Sequence, residues 1–150
     1  MLCTVASILP CQARLDETVE QSKARYGTPG EVKDANFLQQ NVIEKCQVFG
    51  KGGFKIQLGY NRGVVVAEVF FHPDHSALTA DEKQVLLNAD EDISPWVVTG
   101  SKDNVPCQWY KIGRVALYTK DDTMCFYTED QYNAMRKKAV SDKTTNMKDF

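Results

Sequence analysis

The sequence predicts an α+β domain with two layers, in which helices cover one face of an antiparallel sheet. Three observations predict it. First, the stretch from Cys46 to Phe71 is rich in β-branched and aromatic residues. Within it Phe54, Ile56, Leu58 and Tyr60 alternate with Lys55, Gln57 and Gly59, and a period of two marks a half-buried strand. Second, turn signals at Gly50–Gly53 and Asn61–Gly63 cut the stretch into three segments, the pattern of a meander. Third, a shift of 61 residues places Cys46-Gln47 on Cys107-Gln108, Phe49 on Tyr110, Gly52 on Gly113 and Thr18 on Thr79. It also lays Phe54 and Ile56 on Val115 and Leu117. The layout reads as a possible tandem α-βββ repeat followed by a C-terminal helix, although a shared layout alone would produce so few identities.

The elements follow in order. Met1 to Ala13 carries no charge, and an apolar run from Leu2 to Leu9 precedes Pro10-Cys11-Gln12-Ala13. Small residues at Cys11 and Ala13 suit a signal-peptidase site before Arg14. We read residues 1–13 as a signal-peptide remnant that lacks the usual basic start; the alternative is a buried or frayed terminal segment. Residues 14–140 form a single domain. Asp16 to Tyr26 reads as a helix, with Gln21 three residues after Thr18 in the spacing of a capping box. Gly27 and Pro29 end it. Gly30 to Gln40 has a weak pattern, with a short strand or loop around Phe37-Leu38. Strands follow at Val42–Phe49, Phe54–Tyr60 and Val64–Phe71.

The second helix opens at Thr79, with Glu82 in the capping position, and runs to about Asn88. Asp90-Glu91-Asp92 suits a solvated loop. Trp96 to Thr99 is a short apolar patch, and Gly100 to Pro106 is turn-rich. Cys107–Ile112, Arg114–Thr119 and Thr123–Thr128 read as three more strands. Glu129 to Val140 reads as a third helix with Tyr132, Met135 and Ala139 inward, and polar residues 141–150 as a disordered tail.

Composition narrows the function classes. At 150 residues the chain is one domain that can bury a core without metal or disulfide staples. Its formal charge of −2 argues against nucleic acid as a partner. No apolar run reaches the length of a membrane-spanning helix. There is no G-x-S-x-G, P-loop or G-x-G-x-x-G signature, and nothing points to a cofactor.

Three groups of residues could carry chemistry. His72, Asp74 and His75 offer three metal ligands, but H-x-x-H in a loop is a weak metal signal and reads first as a polar turn set by Pro73. Cys46, Cys107 and Cys125 sit in apolar segments. They are either three reduced core thiols, or Cys46 bridges Cys107. Trp96, Trp109, Tyr110 and Tyr118 either fill the core or line a face for a partner, since Trp and Tyr are favoured anchors.

The helix end Ala24-Arg25-Tyr26-Gly27-Thr28-Pro29, with the later Gly53-Phe54-Lys55-Ile56 and Val69-Phe70-Phe71, resembles a group of small exported bacterial proteins of unknown function. The likeness extends over Leu78–Leu87, Trp96 and the Tyr110–Tyr118 hairpin. A looser similarity is to the helix-plus-meander modules of SmpA/OmlA-type outer-membrane assembly lipoproteins and of β-lactamase-inhibitor proteins, which bind other proteins. The resemblance implies an exported protein, periplasmic or extracellular, and implies no catalytic residues.

Two expectations result. One is a non-enzymatic domain that binds a protein or another cell-envelope component, with apolar or aromatic residues exposed on an open sheet face or edge. The other is a small hydrolase or metal-dependent enzyme, with His72, Asp74 or His75 converging on another polar side chain in a pocket.

Overall fold

The computed structural model describes residues 14–30, 42–89, 94–100 and 108–148. The element order is α1 (Val19–Tyr26), β1 (Lys45–Lys51), β2 (Phe54–Asn61), β3 (Val64–Phe71), α2 (Ala80–Asn88), β4 (Val97–Gly100), β5 (Gln108–Lys111), β6 (Arg114–Tyr118), β7 (Met124–Thr128) and α3 (Glu129–Lys148). The strands form one seven-stranded antiparallel sheet in the order β1-β2-β3-β7-β6-β5-β4. The expected class is the observed one. The expectations for residues 1–13, for Phe37-Leu38, for Asp90–Asp92 and for Cys107 lie outside the described residues.

Each element forms for a local reason. Thr18 and Thr79 are the N-caps of α1 and α2, and both capping boxes are closed by Gln21 and Glu82. Thr128 Oγ1 accepts the Gln131 N–H at 3.3 Å and caps α3 by that bond, while the Gln131 side chain turns to Asn61 and the Val42 carbonyl. The β1–β2 turn uses Gly52 and Gly53 at φ 61° and 84°, values that only glycine adopts without strain. A β-bulge interrupts the β2–β3 ladder: Gly59 pairs with Ala67 but Tyr60 pairs with Val65, which leaves Val66 as the extra residue. Val65 therefore joins the core on one face while Val66 turns to the other.

The sheet has two covered faces. On one, Leu15 and Tyr26 of the α1 region and Leu78, Leu86 and Leu87 of the α2 region pack on Phe49, Ile56, Leu58, Phe70, Met124 and Phe126. On the other, Tyr132 and Met135 of α3 pack against Ala67, Val69, Phe71, Cys125, Tyr127 and Leu117. The two-layer expectation is corrected here, because α3 adds a third layer. Periodicity fixes which residues of a helix face inward but not which side of the sheet receives them. α3 also continues to Lys148, past the Val140 end and into the segment expected to be a disordered tail. Between Glu129 and Lys148 there is no Gly or Pro to stop it.

The two meanders meet along β3 and β7. Their hairpins are offset by 60 residues and not 61, because Lys51 pairs with Phe54 where Lys111 pairs with Arg114. A one-residue slip turns every side chain to the opposite face. Thus Ile56 sits under the α1 and α2 side, while Leu117, its partner in the 61-residue alignment, packs with α3.

Candidate binding site

Among the described residues β4 ends the sheet, and β5 is its only strand neighbour. It arises from Val97-Val98-Thr99, a β-branched run bent by a register shift between Val98 and Gly100. Val97 and Val98 are 56% and 58% exposed. The opposite edge differs, since the Gly30 N–H donates to the Val48 carbonyl of β1 at 2.7 Å. Beside β4, Trp96, Val98, Trp109 and Lys111 face the end of α2 across a cleft of about 560 Å³, with Gln84, Leu87 and Asn88 on the helical wall. That volume falls in the usual range for ligand pockets.

The cleft is braced from below. The Trp96 indole N–H donates to the Leu87 carbonyl at 2.8 Å, closing one of the open carbonyls at the end of α2. Its ring meets Phe126 edge-on at 6.0 Å. Lys111, only 3% exposed, holds its ammonium 4.8 Å from the centre of the Trp96 ring, a cation–π contact. Trp96 is therefore fixed in place, and Trp109 forms the neighbouring wall.

The four aromatic candidates do not form one surface. Trp96 and Trp109 share the cleft. Tyr110 points to the α3 face, where its hydroxyl reaches Glu129 Oε2 at 3.4 Å. Tyr118 anchors the turn before α2: its hydroxyl accepts the Leu78 N–H at 3.1 Å and donates to Asp122 at 2.8 Å. Lys83 lies 3.7 Å over its ring. Burial, then the bond to Asp122, pushes the Tyr118 phenol up.

The metal candidates do not converge. His72 stacks on Phe54 and His75 on Phe71, two rings on opposite faces of the sheet. Among the described residues no three His, Cys, Asp or Glu side chains form a metal-binding group. His72 has other partners, which sequence reasoning missed. Its Nδ1 is 2.9 Å from Ser76 Oγ and its Nε2 is 2.9 Å from Glu82 Oε1. Asp74 Oδ1 accepts both the Ser76 hydroxyl, at 2.7 Å, and the Ser76 N–H, at 3.0 Å. Those bonds from Ser76 hold the Asp74 carboxyl below its usual range. Burial pushes Glu82 up, but the Thr79 N–H and the bond and charge of His72 outweigh it and hold the carboxyl low. Glu82 was legible only as a helix cap.

Ser76, His72 and Glu82 lie in a line that resembles a nucleophile–base–acid relay. The Ser76 hydrogen, however, is directed to Asp74 and away from the imidazole, so the serine is not activated as such a relay requires.

Cys46 is a free, half-buried thiol and Cys125 a buried one; the expected bridge from Cys46 to Cys107 involves a residue outside the described ones.

Among the described residues no helix is long and apolar enough to cross a membrane. What fold and site define is an α+β domain with a three-layer core and an aromatic cleft beside an edge strand. Comparison with known protein families, curated proteins and solved structures found no match for the chain.

Proposed function

We propose that this chain is the binding domain of an exported protein, without catalytic activity of its own. It takes up an extended polypeptide segment along β4, with a side chain of that segment reaching the cleft at Trp96 and Trp109. The observation that carries this reading is the exposure of Val97 and Val98 on the sheet edge next to the cleft. An edge strand offers unpaired N–H and C=O groups to a further strand, and neighbouring pockets then read alternate side chains. β4 is short and bulged, so backbone pairing supplies register and the cleft supplies most of the affinity. Export to the periplasm or beyond rests on Met1–Ala13 and on the helix end at Ala24–Pro29. The hydrolase reading is weaker, because the hydroxyl beside His72 is committed to Asp74.

The test is selection of extended peptides from a displayed random library against the full chain. Binding of the selected peptides is then measured to Val98→Arg, Trp109→Ala and, as a control, Ile112→Ala. Losses of about tenfold or more in the first two variants are expected, the scale of one anchor residue. Peptides that bind all variants equally would contradict the reading.

A further inference from the structure

We infer that the turn joining β3 to α2 is a proton-operated clasp, closed when both ring nitrogens of His72 carry hydrogen. Ser76 has one hydroxyl hydrogen, and that hydrogen is directed to Asp74 Oδ1 at 2.7 Å. Ser76 Oγ must then accept from His72 Nδ1 at 2.9 Å. On the far side of the ring, Nε2 lies 2.9 Å from the Glu82 carboxylate, a group that only accepts when ionised. Both nitrogens therefore donate. A neutral imidazole has one N–H. Losing the proton leaves two hydrogens, one on the ring and one on Ser76, for the three contacts His72–Glu82, His72–Ser76 and Ser76–Asp74, so one of them is lost.

The groups facing the ring are few. α2 contributes Glu82, the turn contributes Asp74 and Ser76, and β2 contributes the uncharged Phe54 ring at 5.3 Å. Lys83, the nearest cation on α2, is engaged over Tyr118. His75 stacks on Phe71, on the opposite face of the sheet. Glu82 also accepts the Thr79 N–H at 2.8 Å, so the clasp ties the end of β3 to the cap of α2. α2 carries Gln84, Leu87 and Asn88 of the cleft wall. Opening the clasp as pH rises loosens the start of that helix and leaves the sheet intact.

The test is amide exchange of the full chain at pH 5.5 and 8.5, read at Ser76 and Thr79 and corrected for intrinsic exchange. In the native protein we expect protection to fall about fivefold at the higher pH, the scale of one net hydrogen bond. Asp74→Ala decides the mechanism. It returns the Ser76 hydrogen to Nδ1, so a neutral ring satisfies both contacts and Thr79 stays protected at both pH values. His72→Gln, which has no imidazole proton to lose, should likewise show the same Thr79 protection at both. Equal protection of the native protein at the two pH values overturns the inference. So does an Asp74→Ala chain as pH-sensitive as the native one.

Discussion

Phe126→Ala probes the junction of the two meanders. Phe126 lies on β7, opposite Glu68 of β3, and is 2% exposed. Its ring meets Phe70 edge-on at 5.9 Å and Trp96 at 6.0 Å. Truncating a buried Phe costs about 3–5 kcal/mol. Each edge-to-face pair is worth roughly 0.5–1.5 kcal/mol beyond burial, which places this site in the upper half, near 4–5 kcal/mol. Domains are stable by only about 5–15 kcal/mol, so the variant should lose roughly a third or more of its stability. Its midpoint should drop by roughly 15 °C, taking ~3–4 °C per kcal/mol for a domain of this size. Urea and thermal unfolding followed by far-ultraviolet circular dichroism would measure it. Ile112→Ala is the control: at 82% exposed it should stay within ~0.5 kcal/mol of the native chain. A loss below about 1.5 kcal/mol for Phe126→Ala would refute the placement of this ring between Phe70 and Trp96.

Other outcomes follow from the same packing. Thr79→Ala removes the cap of α2 and should cost about 1 kcal/mol in urea unfolding. Leu117 and Tyr132 border one core, so a double-mutant cycle to Ala should give a coupling of roughly 0.5 kcal/mol or more. No coupling would contradict the side assigned to α3. Asp74 and Glu82 are held low in the folded chain, so the unfolded chain binds more protons around pH 4. Their contribution is present above that pH and is lost as pH falls through the folded values. A Glu82→Gln variant should show a shallower loss of melting temperature between pH 5 and pH 2.5. Burial pushes both the Cys46 and the Cys125 thiols up, but Cys46 is only half-buried and Cys125 is fully enclosed. Under native conditions alkylation followed by mass spectrometry should label Cys46 well before Cys125.

Much of this was legible in local chemistry. Thr18 with Gln21 and Thr79 with Glu82 gave two helix starts, because capping is decided within one turn. The alternation at Phe54–Tyr60 gave β2 and its buried side. β4 was legible only as the apolar patch Trp96–Thr99, too short for its period to be read. The internal echo was real in layout but wrong by one residue in the strands. A match of residue types tolerates that slip, whereas a sheet face does not. The side taken by α3 depends on which face the other helices leave open, a matter of tertiary packing. Within the site, Trp96 and Trp109 were singled out together because both are large and amphipathic. Tyr110 and Tyr118 were grouped with them by type, although strand alternation sends Tyr110 to the other face. The partners of His72 were invisible because Ser76 and Glu82 are brought to it only by the turn into α2.

The most direct measurement is hydrogen exchange of the full chain with and without a selected peptide. New protection should be confined to Val97–Gly100, with the indole signals of Trp96 and Trp109 shifting alongside. Protection that instead appears along Lys45–Lys51 or on α3, with β4 unchanged, would contradict β4 as the binding edge.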